Sequence, residues 1–378
     1  MKPKSVPVFK PKINKDAVFA ELGEVFDSGW LTLGPKTHQF EEQFAQFVGA
    51  RQAVALNSAT AALHLSCQAI NLKEGDEVIV PALTFVATGL APLYCHAKPV
   101  FADIEPDTLC IDPGDIERKI TSRTRAIIPV HFAGHAVRMD EIMAIARRYN
   151  LTVIEDAAHA TGSTYRGKSL GTIGDIGCFS FQAVKNLTTG DGGMVVAQDE
   201  AIIDRVRRLR WFGISKETWE RTDHASYSWD YTVDELGFKF HMNDVSAAIG
   251  LAQLREVDAH NQSRRRIVDQ YNAEFSNLGW LTVPVEKPYT RSAWHAYIVK
   301  VPRRDELIHY LSLREITATV HYRPIHHYRV FGESKADLPV TEREWTRLVT
   351  LPLYPDMTDA DLDRVIDGVL SFGRQMHW

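Results

Sequence analysis

A lysine and an aspartate at the ends of two apolar runs carry the chemistry legible in this chain. Lys185 closes the run Phe179-Ser180-Phe181-Gln182-Ala183-Val184-Lys185, and Asp156 stands between Ile154-Glu155 and Ala157-Ala158-His159. Each segment starts strand-like and breaks into small or polar residues, so both side chains are expected where strands leave a sheet, the ligand edge of an open α/β fold. A lysine amine forms a Schiff base with an aldehyde, and a carboxylate keeps a pyridine nitrogen protonated. Together the two suggest a pyridoxal 5'-phosphate site. Imine formation needs an uncharged amine, which burial and a nearby cation supply by lowering the lysine pKa.

Weaker signals surround this pair. Asn57-Ser58-Ala59-Thr60 follows a strand and opens a helix, where small residues let backbone N–H groups approach a phosphate and the helix dipole adds favourable potential. The same residues fit an ordinary Ser N-cap. The Ser180 hydroxyl can donate to that phosphate or bond a core carbonyl. Phe85 can stack on a cofactor ring or belong to the core. His159 can hydrogen-bond the cofactor's phenolic oxygen or be structural. The loop over 28–35, with Trp30 and Thr32 as candidate substrate contacts, suits a binding loop and equally a helix-to-helix turn. Gly190-Asp191-Gly192-Gly193 precedes a strand and reads as a tight turn after Lys185. No Gly-x-Gly-x-x-Gly follows an early strand and no Gly-x-x-x-x-Gly-Lys-Ser/Thr occurs, so dinucleotide oxidoreductases and nucleotide triphosphatases lack their phosphate loops.

The elements that must position these residues are strands over 53–56, 77–80, 99–102, 125–130, 151–155, 178–181 and 194–196, alternating with helix-like stretches. That alternation predicts an α/β fold, a mostly parallel sheet covered by helices on both faces. A helical run over 244–278 breaks near Asp258. Beyond it, strand-like 296–301 and 318–322 and helical 305–313 and 359–372 predict a smaller α+β unit. The expected organisation is an N-terminal arm over 1–14, a large domain over 15–257 and a small C-terminal domain over 258–378.

With 378 residues the chain exceeds one ordinary core. Its 24% charged and 45% hydrophobic residues and net charge of −5 describe a soluble protein with no electrostatic case for nucleic acid binding. Arg264-Arg265-Arg266 is expected on a solvated face. Cys67, Cys95, Cys110 and Cys178 form no Cys-x-x-Cys pair; reduced, buried thiols are expected, with neither a disulfide framework nor a metal site. No signal peptide or membrane span is apparent, which places the protein in the cytoplasm.

Taken in order from about Val8 to Leu370, these segments resemble the nucleotide-sugar aminotransferases, fold type I pyridoxal phosphate enzymes similar in architecture to aspartate aminotransferase. The resemblance rests on 29–35, 58–63, 81–88, 99–111, 129–134, 155–162, 179–193 and 237–254. It implies a Schiff-base linkage at Lys185, Asp156 at the pyridine nitrogen, His159 near the phenolic oxygen and Phe85 on the ring face. It also implies phosphate contacts from Ala59, Thr60 and Ser180. Each active site would be completed by a neighbouring subunit through 237–243, which makes a homodimer the minimum assembly. There Lys239 and His241 stand where many members carry Asn and Arg or Asn, and both are candidates for the phosphate contact across the interface. Many members have His where Gln182 and Phe212 stand, a difference expected in the sugar pocket. Relatives with histidine in place of the lysine are sugar dehydratases, a route against which Lys185 argues.

Within the family the likeness is to enzymes that aminate a 4-keto nucleotide sugar, such as the 4-amino-4-deoxy-arabinose branch, through Gly29-Trp30, Ser58-Ala59-Thr60 and Asp156-Ala157-Ala158-His159. The stretch 320–326 resembles a segment near the substrate, where His326 or Arg323 would meet the sugar or its diphosphate, although a structural turn before Pro324 fits as well. The function expected is a ping-pong transaminase that takes the amino group of L-glutamate and passes it to a keto deoxy nucleotide sugar. The alternatives are a sugar dehydratase or inosose aminotransferase of the same fold, or a cofactor-binding regulator without turnover.

Overall fold

Alternating side chains along each strand divide the core of this chain into two layers around a central sheet. The computed structural model describes residues 5–215, 230–332 and 337–378; the first four residues of the expected arm lie outside the described residues. In chain order the strands are β1 (Gln52–Leu56), β2 (Glu77–Pro81), β3 (Lys98–Ala102), β4 (Thr124–Ile127), β5 (Thr152–Asp156), β6 (Thr164–Tyr165), β7 (Lys168–Ser169), β8 (Ile176–Ser180), β9 (Gly193–Ala197), β10 (Thr290–Arg291), β11 (Tyr297–Lys300) and β12 (Leu348–Leu351). Among the described residues seven of them form one sheet in the order β1-β9-β8-β5-β4-β2-β3. The pairs from β8 through β3 are parallel, and β9 alone runs antiparallel to both neighbours, so the sheet is mostly parallel as expected.

Ala53, Ala55, Val153 and Phe179 face one layer, with helices Pro35–Val48, Met139–Tyr149 and Asp244–Leu254. Val54, Leu56, Ile154 and Cys178 face the other, with helices Ala59–Ala69, Val86–Tyr94 and Glu200–Leu209. This two-sided burial explains why the strands read as continuous apolar runs. The strand expected through 130 stops at Ile127 because Pro129 has no N–H to give the ladder. The Pro129 carbonyl instead accepts from the Asp156 N–H at 2.9 Å, which ties down the end of β5.

The helical run after Asn243 breaks between Asp244–Leu254 and Val257–Phe275. The chain then forms its own cluster, in which Tyr271, Tyr297, Leu307, Val365 and Phe372 pack around the antiparallel pair β11 and β12. Val6 joins that cluster and donates its N–H to the Glu315 carbonyl at 2.8 Å. Of the strand expected over 318–322, a single bridge from Thr319 to Thr350 forms.

The basic triplet does not lie on one solvated face. Arg264 is buried, donates to the Leu353 carbonyl at 3.0 Å, and has its pKa pushed down to about 10 by burial. Arg265 pairs with Glu286 at 2.8 Å, leaving Arg266 exposed beside Asp359. A helical period of 3.6 residues turns three consecutive side chains in different directions, so a run of charge cannot occupy one face. All four cysteines are free and buried. No helix among the described residues is long and apolar enough to cross a membrane.

Candidate active site

β5 delivers Asp156 as its last residue and β8 delivers Ser180 as its own, so neighbouring parallel strands open onto the same edge. Asp156 is buried. Its Oδ2 accepts from the Thr88 hydroxyl at 2.8 Å and its Oδ1 from the Ala158 N–H at 3.1 Å. Thr88 is held in turn by Thr84, 2.8 Å away in the bend that precedes the helix Val86–Tyr94. Burial still raises the Asp156 pKa, although both hydrogen bonds and the nearby Lys185 act to lower it. Next to it, Glu155 anchors the strand by accepting from His131 Nε2 at 2.8 Å and from the Gly171 and Ile173 N–H groups.

Lys185 sits in the turn after β8, where its N–H donates to the Gln182 carbonyl at 2.9 Å. Its half-buried side chain lines the cavity wall, and burial lowers its pKa to about 8 against the opposing pull of Asp156. The cavity, about 420 Å³, falls in the range of small-molecule sites.

His159 lies across this cavity, stacked on His295 with ring centres 4.4 Å apart. Its Nδ1 accepts from the Ala133 N–H at 3.4 Å, so Nε2 carries the proton and donates to the Tyr322 hydroxyl at 3.2 Å. Burial, then the positive neighbours Lys185 and His321, hold the His159 pKa well below the imidazole range. His295 continues the chain by donating from Nδ1 to Asn186 Oδ1 at 3.2 Å, and the Asn186 amide donates to the Ala293 carbonyl at 2.8 Å.

At the other end of the cavity Ser58 caps the helix Ala59–Ala69, its Oγ accepting from the Ala61 N–H at 3.1 Å. The amides of Ala59 and Thr60 belong to the first turn, whose N–H groups have no intrahelical acceptor. β9 passes close behind them: a Cβ on Gly193 would lie 2.3 Å from the Ser58 carbonyl carbon and 2.6 Å from the Ala59 nitrogen. Gly193 is therefore more than part of a tight turn, because only glycine lets the strand approach the helix start this closely.

Ala59, Thr60, Phe85, Asp156, His159, Ser180 and Lys185 thus line one cavity. Phe85 is 55% exposed at a helix N-cap and does not belong to the core. Arg323 lies over the Tyr328 ring in an adjoining cleft of about 640 Å³, which shares Thr84, Phe85 and Tyr322 with the lysine cavity. Trp30 and Thr32 are elsewhere: Trp30 packs over Gly34 and donates to the Leu33 carbonyl at 2.7 Å, while Thr32 meets His241 at 3.3 Å. Lys239 stands over the Trp211 ring, 5.8 Å from its centre. His326 turns to Glu342 at 2.7 Å. Sequence reasoning assigned no role to Thr88, His321 or Tyr322, all of which line the cavity. Thr88 carried a usable signal, its place in the first turn of the helix that follows β2, on the same sheet edge as Asp156.

A half-buried lysine and a buried aspartate facing one cavity at the C-terminal edge of a mostly parallel sheet are the arrangement of a fold type I pyridoxal phosphate enzyme. Residues 12–370 match the DegT/DnrJ/EryC1/StrS aminotransferase family, and the chain belongs to it. It is 42% identical over 375 residues to the spore coat polysaccharide biosynthesis protein SpsC of Bacillus subtilis, covering 96% of each chain. Among solved structures, the aminotransferase TlmJ from Streptoalloteichus hindustanus superposes with a TM-score of 0.93 at 32% identity, covering 99% of this chain and 100% of TlmJ. Spr1654 from Streptococcus pneumoniae, described as a candidate sugar aminotransferase and seen in its PLP form, gives a TM-score of 0.90 at 30% identity over 98% of this chain and 99% of that one. The protein is a pyridoxal phosphate-dependent enzyme of the sugar aminotransferase family.

Proposed function

We propose that this enzyme moves the amino group of L-glutamate to a keto deoxy nucleotide sugar, with carbon 4 as the aminated position, in two half-reactions at Lys185. The observation that carries the reading is the pairing of an amine with a pKa near 8 and a buried carboxylate whose charge burial disfavours, both facing one cavity. Such a carboxylate calls for a cationic partner, and a protonated pyridine nitrogen is one.

Bound here, pyridoxal phosphate supplies an aldehyde carbon and an electron-withdrawing ring. Lys185 Nζ, neutral above a pKa of about 8, would be the amine that holds the cofactor through that carbon and that otherwise holds and returns a proton. Asp156, its carboxylate plane fixed by Thr88 and Ala158, would keep the ring nitrogen protonated. Phe85 would cover the cofactor ring and His159, its Nε2 on Tyr322, would stand by the phenolic oxygen. The Ala59 and Thr60 amides and the Ser180 hydroxyl would receive the phosphate.

A homodimer with shared sites is supported by the apolar side chains near Lys239 and His241, where Leu236 is 86% exposed and Phe212 also faces out. Lys239 and His241 do not line their own chain's lysine cavity, which suits a contact made across an interface. Trp30, Thr32 and Arg323 are retained as candidate sugar or diphosphate contacts, whereas His326 is turned to Glu342. We place the boundary between large and small domains at the helix break near Val257. The test is incubation with L-glutamate and a panel of keto nucleotide sugars, followed by product mass. Replacement of the keto oxygen by an amine, absent with Lys185→Ala, is expected; loss of water would instead indicate a dehydratase.

A further inference from the structure

Away from the lysine cavity, two consecutive histidines turn the same ring nitrogen toward one oxygen. His326 Nε2 and His327 Nε2 lie 2.7 Å and 2.8 Å from Glu342 Oε1, and the three ligand atoms fall within 4.8 Å of one another. Consecutive residues ordinarily diverge; here the 3-10 turn Ile325–His327 brings both rings to one point, with centres 4.3 Å apart. Glu342 comes from the helix Pro339–Trp345. Its second oxygen accepts from Trp345 Nε1 at 3.2 Å, which aims the first at the histidines, the kind of outer contact that orients a metal-binding carboxylate.

Charge around the cluster is incomplete. Among the described residues Glu342 has no lysine or arginine ion pair, since Arg343 pairs with Glu344 and Arg304 with Asp305. The carboxylate is 46% exposed, which leaves room for water ligands on the solvent side. Two imidazoles and a carboxylate are ligands that zinc takes at about 2.0–2.2 Å. Around a tetrahedral ion such bonds separate the ligand atoms by about 3.4 Å, so each would need to draw back by well under an ångström from its present hydrogen bond.

We propose that His326, His327 and Glu342 form a divalent-cation site of zinc type, completed by water, that ties the turn at Ile325–His327 to the helix Pro339–Trp345. Occupied, it would fix the turn that follows Tyr322 and Arg323, on the walls of the two clefts, against the helix carrying Glu342. Its role is structural, because the site lies apart from the residues that line the lysine cavity.

The test uses the holoenzyme, stripped with a chelator, exposed to zinc chloride and desalted, with bound metal measured by mass spectrometry and stability by thermal unfolding. The wild type is expected to retain a single additional zinc equivalent per chain and to unfold at a higher temperature with it. His327→Ala and Glu342→Gln are each expected to lose that equivalent and the thermal gain while keeping the cofactor's visible spectrum. Equal zinc content in the wild type and both variants, or none in the wild type, overturns the proposal. If either variant fails to fold, cobalt(II) added to the stripped wild type decides: the intense visible bands of low-symmetry coordination support the site, and the spectrum of the aqueous ion overturns it.

Discussion

The Thr88 hydroxyl donates to Asp156 Oδ2 at 2.8 Å, so the first turn of the helix Val86–Tyr94 holds the carboxylate that ends β5. Hydrogen bonds to a charged group contribute roughly 1.5–3 kcal/mol. Thr88→Val is therefore expected to lower kcat about tenfold with the fold intact, since about 1.4 kcal/mol corresponds to a factor of ten. Asp156→Asn, which removes the charge itself, is expected to cost considerably more. Steady-state kinetics on the two variants checks the order, and a Thr88→Val enzyme as fast as wild type would show that the hydrogen bond is idle.

Lys185 should set the pH at which the empty protein captures its cofactor. Burial lowers its pKa from 10.5 to about 8, so the neutral, nucleophilic fraction grows as pH rises through 8. The rate of covalent capture, trapped by borohydride and read by mass spectrometry, is expected to rise through pH 8 and level off above it. A rise delayed to the pH of an ordinary lysine would contradict the burial.

The same shift has a stability consequence. A folded-state pKa below the unfolded 10.5 contributes stability above pH 10.5 and loses it as pH falls through about 8. At neutral pH the charged amine is thus a net liability to the cofactor-free fold. Lys185→Met is expected to raise its stability by on the order of 2 kcal/mol, discounted for the residue's access to the cavity. Denaturant unfolding at pH 7 and pH 10 measures this, and the gain should shrink at the higher pH.

Gly193 holds the phosphate end open. A Cβ there would overlap the Ser58–Ala59 peptide at 2.3–2.6 Å, against backbone that cannot swing aside. Forced overpacking costs about 1–3 kcal/mol. Gly193→Ala is expected to weaken cofactor retention by roughly tenfold or more, which equilibrium titration with pyridoxal phosphate would show.

The parts of this site that sequence could reveal are those whose signal is local. Asp156 and Lys185 could be found because each closes an apolar run, and the strands carrying them occur within a residue or three of where periodicity put them. Ser58 announced a helix start for the same reason. Tyr322 was not legible, because its contact with His159 joins segments far apart in the chain through the packing of the C-terminal unit, and no pattern near either residue encodes it. Arg264 misled for a related reason: charge in a run says nothing of which turn of a helix faces the core, and the carbonyls that accept from it come from distant loops. Gly193 looked like turn chemistry because the close approach that demands it is made by another part of the chain.

The most direct test of the account is the visible spectrum of the purified protein before and after excess L-glutamate. A band from cofactor linked to Lys185 should bleach with glutamate, return with 2-oxoglutarate, and be absent from Lys185→Ala. A wild-type protein that shows no such band after addition of pyridoxal phosphate, or a Lys185→Ala variant that bleaches and recovers as the wild type does, would contradict the assignment of Lys185 on which the mechanism stands.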